Sequence, residues 1–123
     1  MKEMSMSKPH NQVERISFSA GEVLMTQGEM GGHAVVIESG EVQILVAQDQ
    51  IERLVALAGP GEIVGEMALI DREPRSATVR ALTDGEGMVI PWEVFQSDLD
   101  ASPTLIRNIV EILTRNLRRM DGV

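Results

Sequence analysis

The sequence contains no cysteine, which removes disulfide frameworks, thiolate metal sites and cysteine nucleophiles together. Aromatic residues make up only 2% of the 123 positions, with two Phe, one Trp and no Tyr. The core must therefore be built from Val, Ile, Leu, Ala and Met, and a surface that stacks nucleic-acid bases is unsupported. Only two histidines occur, His10 in the lead-in and His33 in an expected turn, too few for the roughly three His and carboxylate ligands of a catalytic metal. Ser76 has no recognisable histidine base, so a serine hydrolase is equally unsupported. No apolar run is long enough for a membrane span. Residues 1–12 are polar and lack the apolar segment of a secretory signal. Together these absences predict a cytoplasmic, non-catalytic protein with no cofactor, no metal and no membrane partner.

Positive charge is also scarce. Lys and Arg number 11 against 19 Asp and Glu, a net charge of −8, and a field of that sign repels phosphate backbones. No nucleic-acid partner is expected. Residues 1–100 carry 7 basic and 17 acidic side chains, whereas residues 101–123 carry 4 basic and 2 acidic. The last segment is electrically a separate element, a basic arm on an acidic body.

What is present suits one domain: 43% of residues are hydrophobic and 24% charged, enough to bury a real core. Residues 1–12 are expected to be a flexible tail and residues 13–123 a single domain. Between residues 16 and 91, short Val- and Ile-rich runs alternate with glycine turns such as Gly59-Pro60-Gly61 and Asp84-Gly85-Glu86-Gly87, the grammar of an antiparallel roll. Strands are expected over residues 16–18, 23–26, 34–38, 41–47, 51–57, 78–82 and 88–91. Val42, Ile44 and Val46 share one face, and a turn at Gln48-Asp49-Gln50 makes a hairpin with the next run. After Pro91 the period changes from two to about 3.6. A short amphipathic piece covers residues 92–99, and a longer helix reaches to about residue 120, with Ser102 as N-cap and Pro103 as first helical residue. Its broad stripe, including Leu105, Ile106, Ile109, Leu113 and Leu117, covers either its own barrel or a second chain.

Residues 61–79 break the strand-and-turn grammar. Glu66-Met67-Ala68-Leu69-Ile70 is one turn of good helix formers opened by a glycine, too short to stand alone. Unpaired N–H groups and the helix dipole at its start favour an anion. Pro74 stiffens the chain before Arg75, and Ser76 and Ala77 are small enough for a ligand to approach the backbone. A guanidinium can fork onto phosphate oxygens, while a carboxylate such as Glu66 suits a sugar hydroxyl. A ligand with a ribose beside a phosphate fits; a structural Glu66–Arg75 salt bridge fits the spacing as well.

This segment resembles the phosphate-binding cassette of the cyclic nucleotide-binding domains, the family of the bacterial catabolite activator, the regulatory subunits of cAMP-dependent kinase and cyclic nucleotide-gated channels. Phe18, Gly21-Glu22, Gln27-Gly28, Gly40, Gly61, the run Gly65-Glu66-Met67-Ala68-Leu69 and Arg75-Ser76-Ala77-Thr78-Val79 fall at the family's spacing, over about residues 14–119. The resemblance implies a mainly β fold with flanking helices: a double-stranded β-helix, or jelly roll, of about eight strands, holding a short cassette helix, with two C-terminal helices. It implies that Arg75 pairs with a cyclic phosphate, that Glu66 accepts from the ribose 2′-hydroxyl and that Gly65 exposes backbone beside the ribose. Ser76 and Ala77 would reach phosphate or purine, Ile63, Val64, Met67 and Leu69 would wall the pocket or pack beneath it, and Ala68 would belong to the site with them. Leu117 or Arg118 would act as a lid near the end of the last helix. The ligand is then cAMP or cGMP, with cAMP favoured. Output leaves through the C-terminal helix, to a protein partner or a second copy. The competing reading is a degenerate roll that binds no nucleotide and acts only through that helix. Two departures from the family stand out: Gly31-Gly32 where relatives usually have Gly-Asp, and Val35 in place of an aromatic. No helix-turn-helix is expected after the last helix, in contrast to the catabolite activator.

Overall fold

A computed structural model describes residues 14–121; the expected tail at residues 1–12 lies outside the described residues. Among the described residues, eight strands and three helices follow in order: β1 (Glu14–Phe18), β2 (Val23–Met25), β3 (His33–Ser39), β4 (Val42–Gln48), β5 (Ile51–Ala58), β6 (Ile63–Val64), α1 (Glu66–Asp71), β7 (Thr78–Ala81), β8 (Gly85–Pro91), α2 (Trp92–Asp100) and α3 (Thr104–Asp121). The strands form two four-stranded antiparallel sheets, ordered β1-β8-β3-β6 and β2-β7-β4-β5. This is the expected mainly β roll with its helices at the C-terminal end.

Between the sheets lie Phe18, Met25, Val35, Ile37, Val42, Ala58, Val64, Val79 and Ala81, all buried. Aliphatic side chains interdigitate across the two inner faces, so Val35, fully buried in place of an aromatic, fills its site without one. Gly87 explains part of the fit, because a Cβ there would stand 2.6 Å from Val35 Cγ1.

Three local expectations are corrected. The glycines at residues 85 and 87 belong to strand β8 rather than to a turn: a Cβ on Gly85 would collide with the Ser39 carbonyl and reach 2.6 Å from the Phe18 ring. Glycine here makes room for a close backbone approach. In the β4–β5 hairpin, Ile44 pairs with Ala56 but Leu45 with Leu54, so Val55 is a bulge residue. The alternation shifts there: Leu45 and Val46 are both buried while Ile44 is only half-buried, as a bulge demands. Ser102 does not cap α3; its hydroxyl donates back to the Asp98 carbonyl at 3.1 Å, and α3 begins at Thr104.

The C-terminal stripe is not covered by the barrel. Leu105, Ile106, Ile109, Ile112, Leu113 and Leu117 are 45–70% exposed. The helix is nonetheless tied down: Thr114 is buried and Arg118 is bonded to Asp71 and to the Pro74 carbonyl. Among the described residues, no helix is long and apolar enough to cross a membrane.

Candidate functional site

Short β6 leads through Gly65 into α1. Gly65 adopts φ +78°, a left-handed conformation that costs a residue with a Cβ roughly 1 kcal/mol or more. It also has no space for a side chain: a Cβ would lie 2.6 Å from Arg75 Nη1 and 2.6 Å from Met25 Sδ. The glycine therefore lets the chain turn into the helix and lets the arginine come close.

Arg75 is held from both ends. Its backbone N–H donates to the Glu29 carbonyl at 2.8 Å and its carbonyl accepts from Gly28 N–H at 2.9 Å. These bonds stitch the loop before β7 to the loop after β2, beside a Met30–Pro74 bridge. The side chain is only 8% exposed. Nη2 donates to the His33 carbonyl at 2.8 Å, and Nη1 is buried without a partner. Burial lowers the arginine's pKa, an effect opposed by the Glu29 carboxylate; a guanidinium remains charged at neutral pH regardless. A desolvated cation with an unsatisfied donor is costly unless an anion meets it.

A cavity of about 260 Å³ opens beside this arginine. Ile63, Val64, Gly65, Glu66, Met67 and Ala68 supply one part of its wall and Arg75, Ser76 and Ala77 another, with Arg118 reaching in from α3. The expected site residues are thus brought together, with one exception. Leu117 is 45% exposed and does not line the cavity, because α3 turns its neighbour Arg118 inward instead. Glu66 and Arg75 form no ion pair with each other among the described residues, so the spacing does not serve a structural salt bridge. Both residues line the same cavity.

Sequence reasoning missed several participants. Met25, Ile44 and residues 56–58 form the apolar wall, supplied by strands that only the sheet topology brings near α1. His33, expected in a solvated turn, starts β3 and is half-buried; its pKa is lowered by burial and, to a smaller extent, by the neighbouring Arg75 charge. It contributes through its backbone carbonyl, for which side-chain chemistry gives no signal. Asp71 was also unmarked: it pairs with Arg118 Nε, and its Oδ1 accepts from Nη2 at 3.0 Å.

The family model for the cyclic nucleotide-binding domain matches residues 15–101. A "Cyclic AMP receptor protein" of Thermus thermophilus is 32% identical over 109 residues, covering 88% of this chain and 50% of that protein. The cAMP-bound form of the EAL enzyme Bd1971 superposes with a TM-score of 0.83 at 31% identity, over 87% of this chain and 29% of that one. The regulatory domain of Toxoplasma gondii PKA, crystallised with cAMP, gives a TM-score of 0.68 at 28% identity, over 69% of this chain and 33% of that one. The chain spans about half the length of the first curated relatives it matches. The family-model match spans most of the described residues, and the fold of these relatives holds the same chain from end to end of the roll: the chain belongs to the cyclic nucleotide-binding domain family.

Proposed function

We propose that this chain is a non-catalytic sensor that binds a 3′,5′-cyclic nucleotide, cAMP in preference to cGMP, and signals through α3 to a partner. The observation that carries this reading is the state of Arg75: buried, fixed by the His33 carbonyl, and left with an unpaired Nη1 beside a cavity. A phosphodiester anion satisfies that nitrogen with a charge-assisted hydrogen bond. Glu66 is suited to accept from a ribose hydroxyl, Ser76 and Ala77 to meet the phosphate or the purine, and the apolar wall to cover the base. The lining contains no histidine or cysteine, so it offers recognition groups rather than a nucleophile with its base. The preference for cAMP rests on relatives named for cAMP, although Bd1971 has been solved with cAMP and with cGMP.

Transmission follows from where α3 is attached. Arg118 touches both the cavity and Asp71 at the end of α1, so a ligand that moves the cassette acts on the helix through differential contact. The exposed stripe on α3 suits a second copy of the chain as the partner. Ile106, Val110, Leu113 and Leu117 recur at spacings of four, three and four, the pattern of a two-helix seam. Competition of cAMP, cGMP and a cyclic dinucleotide for the purified protein tests the reading. Saturable binding with cAMP strongest supports it. A folded protein that binds none of them is an interaction module instead.

A further inference from the structure

The Arg75 guanidinium lies close against two glycines. A Cβ on Gly65 would stand 2.6 Å from Nη1, and a Cβ on Gly31 would stand 2.8 Å from Cζ and 3.1 Å from Nε. Carbon and nitrogen atoms in contact normally keep about 3.5 Å or more, so neither wall has room for even a methyl group. Gly31 is buried, and its added Cβ would also meet Ala68 Cβ at 2.8 Å. Next in the chain, Gly32 is exposed and a Cβ there meets nothing within 4 Å. Then comes His33, whose carbonyl fixes Nη2. Gly31 thus supplies a flat surface against Cζ and Nε, His33 an acceptor for Nη2, and Gly65 a second flat surface against Nη1.

We propose that Gly31 is a positioning residue for ligand binding: its missing side chain forms the second wall of a slot that holds the Arg75 guanidinium in place before any ligand arrives. This rests on the reading of Arg75 as the phosphate-binding group. The unusual pair Gly31-Gly32 then divides into one position where glycine is required and one where it is not. Preorganisation of this kind sets affinity, because a guanidinium displaced by a fraction of an ångström to one ångström loses alignment with its anion.

The test compares Gly31→Ala with Gly32→Ala. In the unliganded proteins, the Arg75 Nε–H resonance in ¹⁵N–¹H spectra reports the guanidinium's surroundings directly; cAMP affinity is measured by calorimetry, and melting confirms the fold. The slot predicts that Gly31→Ala shifts the Arg75 resonance and weakens cAMP binding by about tenfold, the worth of roughly one misaligned charge-assisted hydrogen bond. Gly32→Ala changes neither. If Gly31→Ala does not fold, the double variant Gly31→Ala/Ala68→Gly removes the contact with Ala68, keeps the one with Arg75, and carries the same expectation. An unmoved Arg75 resonance, or cAMP affinity equal to that of Gly32→Ala, overturns the proposal. Should the wild-type chain bind no cyclic nucleotide, the functional reading falls, while the resonance still decides whether Gly31 positions the arginine.

Discussion

Arg118 on the last helix and Asp71 at the end of the cassette helix form an ion pair across 47 residues of sequence, with both side chains about one-fifth exposed. Arg118 Nη1 also donates to the Pro74 carbonyl at 2.9 Å, immediately before Arg75. One guanidinium therefore fastens α3 to the end of α1 and to the residue just before Arg75. The attachment is local, since most of the apolar stripe on α3 remains exposed.

Breaking this strap loosens the helix. Asp71→Asn keeps the shape but removes the charge, and is expected to cost about 1 kcal/mol, the upper range for a partly solvated pair. Amide hydrogen exchange across residues 105–119 should accelerate, with little change in the sheets. Arg118→Ala should in addition weaken cyclic nucleotide binding by about 1–2 kcal/mol, because it removes a cavity wall as well as the strap. Identical exchange across residues 105–119 with and without ligand would contradict a signalling role for the helix.

The stripe itself predicts assembly. Leu113→Glu places a charge among Ile106, Ile109 and Leu117, and desolvating that charge in a helix seam is expensive. Sedimentation analysis should show a dimer for the wild-type protein and a monomer for the variant, with the β-roll's circular dichroism unchanged. A wild-type monomer at high concentration would exclude a second copy as the partner.

Protonation of His33 opposes folding. Burial and the Arg75 charge hold its pKa below the usual 6.5, so between that lowered value and 6.5 the unfolded chain binds more protons than the folded one. Stability attributable to this residue is complete above about pH 6.5 and declines as the pH falls through that window, levelling off below the folded pKa. Urea midpoints measured as the pH is lowered should show this decline in the wild-type protein. His33→Asn should lack that component and keep only the acid loss due to carboxylates.

Arg72 supplies an optical probe. Its guanidinium lies 4.0 Å from the centroid of Trp92, the chain's single tryptophan, and thereby joins the end of α1 to the start of α2. Arg72→Ala should shift the fluorescence spectrum and lower stability by about 0.5–1 kcal/mol, typical of a cation–π contact at an exposed site. Unchanged emission would show that the contact is not populated in solution.

The roll, the cassette helix and the two terminal helices were legible from short β-rich runs, a change of period after Pro91 and the Gly65–Glu66 to Arg75–Ser76 spacing. Less visible was anything decided by backbone or by topology. Gly85 and Gly87 read as a turn because glycine marks turns and close approaches alike, and only the position of Phe18 and Val35 distinguishes them. The bulge at Val55 leaves no trace in an alternating pattern. Likewise the His33 carbonyl and the flat face of Gly31 have no side-chain chemistry to detect. Leu117 and Arg118 could not be separated by periodicity, since the choice depends on Asp71 standing opposite.

Calorimetric titration of cAMP into the wild-type chain and into Arg75→Ala tests the binding site most directly. The unpaired, buried Nη1 of Arg75 predicts saturable binding by the wild-type protein and an affinity lower by about 2–4 kcal/mol in the variant, the scale for truncating one member of a buried charge pair. Equal affinities in two folded proteins, or no binding by the wild-type chain, would contradict a phosphate-binding role for Arg75.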